Sequence, residues 1–286
     1  MKLLSIVIPA FNRQFGFNKL LADLYNAIEE SNLQSEVEII VVDDCSSAYI
    51  TIPGLILNVT LIRNDKNLGA PASRKIGFES SRGQFIHFHD SDDTISEGWL
   101  GKVIQQLKQD SNLDILMTAR VDHEMAEDTI KVQKYFNLKS SHPNKIKSRL
   151  IYRNCMGPLG GVTFSRRVLD KTEFKSFASC QDWQMYIDVI KHAKVLVSRP
   201  DIKFIFNKTG DDRISHNPRK KILGHLQLAK ITGKKSIFGR HIRLFYLYTC
   251  KQHIYNKGGY VLRFYKKNRL IIFATFLIVS IYWRVT

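Results

Sequence analysis

Over the first hundred residues, short runs of consecutive apolar side chains alternate with stretches whose apolar positions recur every three or four residues. Residues 3–8, "LLSIVI", form an unbroken apolar run that ends at Pro9 and the loop "AFNR". Phe17, Leu20, Leu21, Leu24, Tyr25 and Ile28 then follow at helical spacing up to about Glu30. "VEIIVVDDCSS" is a second buried strand closed by Asp43 and Asp44, "VTLIRND" a third, and "NLGAPASRKIGFESSRG" a loop and helix closing near Gly83. "QFIHFH" is the next strand, and it runs into "DSDDT". Strands that are apolar on both faces, alternating with helices, predict an α/β domain with a largely parallel sheet. Ligands of such sheets bind beyond the carboxyl ends of the strands. "AFNR", "DDCSS" and "HDSDD" each stand just past such an end, so a single pocket is expected to collect all three.

Beyond Trp99 the pattern predicts the helix "WLGKVIQQLKQD" and the strand "LDILMTAR", and it weakens through 121–150. "GPLGGVTFSRRVLD" reads as a glycine-containing loop entering a strand or helix, and "QDWQMYIDVIKHA" as a helix with Trp183, Ile187 and Ile190 roughly on one face. The opening "MKLLSIVIPAFNR" has too short an apolar run, and no small-residue cleavage site, for a signal peptide.

Composition adds a partner. The 286 residues hold 43 Lys and Arg against 26 Asp and Glu, a formal net charge of +17, which calls for an acidic surface, nucleic acid or phosphorylated substrates. Basic residues thicken after about residue 200, in "NPRKKILGH", "TGKKSIFGRHIR" and "RFYKKNR", the last directly before the apolar stretch 270–283. That stretch is shorter than the roughly 20 residues that span a bilayer, so docking on an anionic leaflet is favoured over spanning, with Tyr282, Trp283 and Arg284 at the interface. A C-terminal helix packed on the core is the alternative. Cys45, Cys155, Cys180 and Cys250 lie far apart with no C-x-x-C pair, which fits a reducing cytosol and neither a disulfide framework nor a zinc ribbon.

Three carboxylates within four residues, Asp90, Asp92 and Asp93, repel one another unless positive charge sits among them. A hard cation such as Mg²⁺ or Mn²⁺, shared with water and diphosphate oxygens, supplies it, and a polar turn is the plain alternative. Asp44 could bond a base or ribose, or cap a turn, and Arg74 could approach a phosphate, or lie solvated on a helix. Asp182 opens a helical segment, where a carboxylate could serve as a general base or as a first-turn charge. His216 is a candidate metal or phosphate contact, and Arg213, Lys220 and Lys221 candidate diphosphate contacts, all with a solvated face as the default.

"SIVIPAFNR", "EIIVVDDCSS", "NLGAPASRKIGFESSRGQFIHFHDSDD" and, much later, "QDW" stand in the order found in the inverting nucleotide-sugar glycosyltransferases of family 2, which the chain resembles strongly over roughly residues 1–100 and more thinly to about 225. The resemblance implies the GT-A fold, a Rossmann-like mostly parallel sheet flanked by helices. It implies a glycosyltransferase domain over 1–225, with a nucleotide-binding part to about 100 and an acceptor part after it. A basic, partly apolar helical extension would occupy 226–286. It also implies roles: Ala10, Phe11 and Asn12 in the first nucleotide loop, Asp43 and Asp44 at the base, Asn67, Gly69 and Arg74 on the donor side. Asp90 and Asp92 match the D-x-D, with Ser91 between them and Asp93 and His216 as further candidate metal ligands. Asp182 matches the catalytic base, and Gln181 departs from the glutamate usual before it. The activity implied is inverting transfer of a hexosyl or N-acetylhexosaminyl group from a nucleoside-diphosphate sugar, more specifically a uridine one. The acceptor would be a glycan or lipid-diphosphate-linked glycan of bacterial surface polysaccharide assembly, at the inner face of the membrane, with Mn²⁺ or Mg²⁺ and without nucleic acid.

Two other readings compete. "DSDDT" also fits the D-x-D-x-T of haloacid-dehalogenase-type phosphatases, with Asp90 as nucleophile, Asp92 as acid and base and "GDDR" as a later acidic pair, but that motif normally follows a first strand. A non-enzymatic basic membrane- or nucleic-acid-binding module leaves the acidic cluster unexplained. A dehydrogenase is disfavoured, because no G-x-G-x-x-G follows the first strand.

Overall fold

The computed structural model describes residues 2–52, 58–124, 129–133, 142–151, 154–207 and 218–233. Arg213, His216, "GDDR", Cys250 and the apolar stretch 270–283 lie outside them. By compactness the chain divides into two units. The first comprises Met1–Lys147, Asn154–Ser176 and Met185–Thr209, the second Ser148–Arg153, Phe177–Gln184 and Gly210–Thr286.

The first unit is built on one sheet. Strands β1 (Leu4–Ala10), β2 (Val37–Asp43), β3 (Val59–Arg63) and β4 (Phe85–Phe88) pair in the order β3-β2-β1-β4, all parallel. Every residue of β1, β2 and β4 is buried, which is why each reads as a mostly apolar run, with Ser5, Glu38, Asp43 and His87 as buried polar exceptions. Alternate positions face opposite sides. Leu4, Ile6, Ile8, Ile39 and Val41 pack in one core with α1 (Gln14–Glu30) and α3 (Trp99–Gln109), through Phe17, Leu20, Leu21, Leu24, Trp99, Leu100, Val103 and Leu107. Each such side chain contributes roughly 1.5–3 kcal/mol by leaving water. On the other side α2 (Ala70–Ser80) lies so close to the sheet that a Cβ on Gly77 would stand 2.3 Å from Val7 Cγ1.

The rest of the sheet is mixed. β8 (Val162–Ser165) runs antiparallel to both β4 and β6 (Ile115–Glu124). β9 (Leu196–Asn207) returns parallel to β6, with β5 (Thr94–Ile95) antiparallel on its far side and β7 (Thr129–Gln133) antiparallel to β6. Between Thr118 and Ala119 the β6–β9 register slips by three residues of β9, Pro200 to Ile202. The expected α/β sheet is therefore present, parallel in its first half and mixed in its second.

In the second unit, the end of α4 (Pro143–Leu150), the start of α6 (Gln181–Val189) and α7 (Pro218–Gly233) are described. The boundary read from sequence at residue 225 falls inside α7.

Candidate donor site and catalytic carboxylate

Parallel register sets the ends of β1, β2 and β3 level, with Ala10 opposite Asp43 and Asp43 opposite Arg63, while β4 ends at Phe88 opposite Val7. The loops that follow therefore share one edge of the sheet, where ligands of such sheets bind.

Two of these loops are stitched together. Asn12 holds a left-handed backbone (φ 52°), donates its N–H to Ser46 Oγ at 2.9 Å, and accepts the Ser47 N–H at its Oδ1 at 2.8 Å. Cys45 is also left-handed (φ 64°), an uncommon state for a residue with a Cβ and one that tends to gather at functional sites. Beside this clamp Phe11 is 44% exposed, a large apolar ring left in water at the head of the site.

The paired aspartates are both buried and both held. Asp43 accepts the Ser46 N–H at 2.9 Å and forms an ion pair with Arg63, whose other terminal nitrogen donates to the Ser46 carbonyl at 2.8 Å. Asp44 accepts three bonds: Asn64 Nδ2 at 2.8 Å, the Leu68 N–H at 2.8 Å and the Gly69 N–H at 2.7 Å. Gly69 has a φ of 85°, so glycine is the residue that lets the chain turn into α2 here. A carboxylate has about four acceptor positions, which leaves Asp44 one for a ligand. Asp44 thus fastens the loop containing Asn67 to the end of β2, a role the sequence reading did not foresee.

Arg74, buried on α2, reaches the acidic turn and donates to Asp90 Oδ1 at 2.7 Å. The Asp90 side chain is 30% exposed, Ser91 is buried and Asp92 half-buried. Asp93 is buried to 1%, and its Oδ1 accepts the Asn207 N–H at 3.1 Å, so this carboxylate braces the turn from within. Helix α1 crowds the turn from outside, since a Cβ on Gly16 would lie 3.3 Å from the Ser91 carbonyl.

Among the described residues no three His, Cys, Asp or Glu side chains converge as a cation cage. A half-buried Asp92 beside Asp90 fits instead a hard cation that takes one or two protein carboxylates and completes its shell from phosphate and water.

Behind the turn stand two residues that the motif reading passed over. His87 on β4 and His89 just past its end are both fully buried, with His87 Nε2 3.2 Å from His89 Nδ1 and His87 Nδ1 3.0 Å from Thr163 Oγ1. Trp99 and Phe204 rings close over them. Burial pushes His89 down to about 4, against the opposing pull of the Asp90 charge and the Asp93 backbone. His87 is pushed well below the usual imidazole range by burial and then by its neighbour His89. The i, i+2 spacing in "FIHFH" was the available signal. Phe204 also lies flat on the glycines of "GPLGG": a Cβ on Gly160 or Gly161 would stand 3.0 Å from its ring.

Asp182 lies in the second unit, half-buried in the first turn of α6, where a helix favours negative charge. Its neighbours are fixed on both sides. Trp183 Nε1 donates to the Leu150 carbonyl at 2.7 Å and its ring meets His225 edge-on. Gln181 Nε2 donates to the Phe177 carbonyl at 3.0 Å. Gln227 accepts the Ala178 N–H, and a Cβ on Gly224 would strike Ser179, so α7 packs directly on the chain that enters α6.

Residues 5–174 match the model of the family described as Glycosyl transferase family 2. An uncharacterized glycosyltransferase of Haemophilus influenzae is 34% identical over 115 residues, 40% of this chain and 37% of that protein, so the chain spans less than half the length of this curated relative. The poly(ribitol-phosphate) beta-N-acetylglucosaminyltransferase TarS of Staphylococcus aureus is 28% identical over 99 residues, 32% of this chain and 17% of that protein. A crystal structure of TarS with UDP-GlcNAc superposes with a TM-score of 0.61 at 18% identity, covering 86% of this chain and 70% of that one. The mannosyltransferase PcManGT of Pyrobaculum calidifontis, with GDP-Man and Mn²⁺, gives 0.58 at 12% identity over 99% of this chain and 80% of that one. With the matched segment running from β1 through β8 and taking in the loops at the sheet edge and the acidic turn, the chain belongs to glycosyl transferase family 2 and has its GT-A fold.

Proposed function

We propose that the protein transfers a hexosyl or N-acetylhexosaminyl group from a uridine-diphosphate sugar to a hydroxyl of a glycan or lipid-diphosphate-linked glycan, with inversion at the anomeric carbon. The observation that carries this is the Arg74–Asp90 ion pair, because it joins the donor-side helix to the acidic turn at the sheet edge where the Asn12 and Asp44 loops also end. The nucleoside would lie along those loops, with Phe11 against the base and the remaining acceptor position of Asp44 for a base or ribose donor. Asp90 and Asp92 would hold a divalent cation against the diphosphate, with Asp93 as the anchor of their turn. When bound, Mn²⁺ or Mg²⁺ supplies positive charge that offsets the charge of the leaving diphosphate. Arg74 adds a guanidinium to the same charge balance.

Asp182 would accept the proton of the acceptor hydroxyl as its oxygen attacks the anomeric carbon from the face opposite the diphosphate. The new glycosidic bond forms as the bond to the diphosphate breaks, without a covalent enzyme intermediate. The basic C-terminal residues would keep the enzyme on the anionic inner leaflet, where a lipid-diphosphate acceptor is found. The solved relatives that bind UDP-GlcNAc and GDP-Man support a nucleotide-sugar donor, and the uridine preference is our reading.

Calorimetric titration with UDP, GDP and their sugar conjugates, each in Mn²⁺ and in EDTA, tests this on wild type and Asp92→Asn. Cation-dependent binding of one nucleotide that Asp92→Asn abolishes is the expected result. Absence of binding to every nucleotide would overturn the proposal.

A further inference from the structure

Asn207, the last residue of β9, turns its N–H and one end of its side-chain amide to the acidic turn and the other end of the amide to His123 on β6. Its backbone N–H donates to Asp93 Oδ1 at 3.1 Å, its Nδ2 donates to the Asp92 carbonyl oxygen at 2.9 Å, and its Oδ1 lies 3.3 Å from His123 Nδ1. A carbonyl oxygen can only accept, so the amide nitrogen must face Asp92 and the amide oxygen must face the imidazole. The hydrogen in that second contact therefore sits on His123 Nδ1, which fixes the ring's tautomer.

Two ladders deliver the side chain to this place. The antiparallel pairing of Thr94 with Ile205, carried two residues further, sets Asn207 opposite Asp92, and the parallel β6–β9 ladder ends with His123 opposite Asn207. Asn207 is buried and its bond to Asp93 is made away from competing water, while its bonds to the half-buried Asp92 and His123 are partly sheltered. Asparagine is also the side chain that satisfies both neighbours. Aspartate would set a carboxylate against the Asp92 carbonyl and beside Asp93, and alanine would leave the Asp92 carbonyl and the His123 N–H without this partner.

We propose that Asn207, with His123 behind it, is a positioning residue for donor binding. It fixes the backbone of Asp92 so that the carboxylate is presented to the cation and the donor diphosphate. The inference rests on the donor-binding reading given above. It separates two parts of the site: the loops carrying Asn12, Asp44 and Gly69, which would read the nucleoside, and the turn carrying Asp92, which would read the cation.

The test is titration of the full chain with the nucleotide that wild type binds, UDP or GDP, in Mn²⁺ and again in EDTA, on wild type, Asn207→Ala and His123→Ala, with thermal midpoints for each. The expected result is an affinity lowered about tenfold in Mn²⁺ for Asn207→Ala, the scale of a lost buried hydrogen bond. In EDTA its affinity should be unchanged. His123→Ala should lose less, in the same direction and in Mn²⁺ alone. Unchanged affinity of Asn207→Ala in Mn²⁺ overturns the inference and leaves donor binding standing. An equal loss in both media assigns Asn207 a purely structural role and overturns it too. If Asn207→Ala does not fold, undiminished Mn²⁺-dependent binding by His123→Ala is the overturning result. A wild type that binds no nucleotide overturns the donor reading, and this inference with it.

Discussion

At residue scale, position 181 shows what a single exchange of oxygen for nitrogen does. Gln181 donates to the Phe177 carbonyl, a bond an ionised glutamate could not make because it has no hydrogen to give. The departure from the family's usual glutamate is therefore used locally, to fasten the chain entering α6, and Asp182 stands next to it in the first helical turn. If Asp182 is the base, Asp182→Asn should lower turnover by about 10²- to 10⁴-fold, the usual range for loss of a general base. Donor affinity should be unchanged, since the loops proposed to bind the nucleotide are built from other residues. Steady-state kinetics beside the calorimetric titration checks both halves, and undiminished turnover would sink the assignment.

At the scale of elements, β4 carries a consequence for pH. An unfolded histidine takes up its proton near pH 6.5. Folded His89 resists until about 4, and His87 resists as well, both because they are buried among Thr163, Trp99 and Phe204. Between those values the unfolded state binds more protons than the folded state, so stability is fully present above pH 6.5 and falls as pH is lowered toward 4. The limiting slope is about 1.4 kcal/mol per pH unit for each histidine. Thermal midpoints from pH 7 to 4.5 should fall accordingly, and the double substitution of His87 and His89 by Gln should flatten the curve. A double variant with the wild-type slope would assign the effect to other groups.

The same scale shows what the sequence made legible. β1, β2 and β4 were readable because burial on both faces writes mostly apolar runs, and α1 because Phe17, Leu20, Leu21, Leu24 and Ile28 fall on one stripe. The direction of β8 was not, since "VTFS" carries no mark of whether it runs with or against β4. In the site, Asn12, Arg74 and Asp90 were legible as motif members. The inward turn of Asp93 and the part played by Asn207 were not, because that contact joins residues 114 positions apart.

For the whole molecule, charge is distributed unevenly. After Asp212 the sequence contains 16 lysines and arginines and not one aspartate or glutamate, within a chain whose net charge is +17. Among the described residues no helix is long and apolar enough to cross a membrane. If the basic end docks the enzyme on a leaflet, co-sedimentation with vesicles containing phosphatidylglycerol should be strong at low salt and weaken as ionic strength rises. Removing 265–286 should reduce it, and undiminished sedimentation of that shortened chain would reject the tail as the anchor.

The long reach of the Asn207 contacts also orders events in time. A chain emerging from its N-terminus has the residues of β1 to β4 by Phe88, and with them the loops that follow β1, β2 and β3. The acidic turn follows at once in synthesis, yet the bonds from β9 that brace it cannot form until more than a hundred further residues have been made and β6, β8 and β9 have closed the mixed half of the sheet. Contacts so distant in sequence form slowly, because a long loop must close before they give any return. The residues of the first four strands and of Arg74 are thus made well before the β9 residues that complete the bracing of the acidic turn.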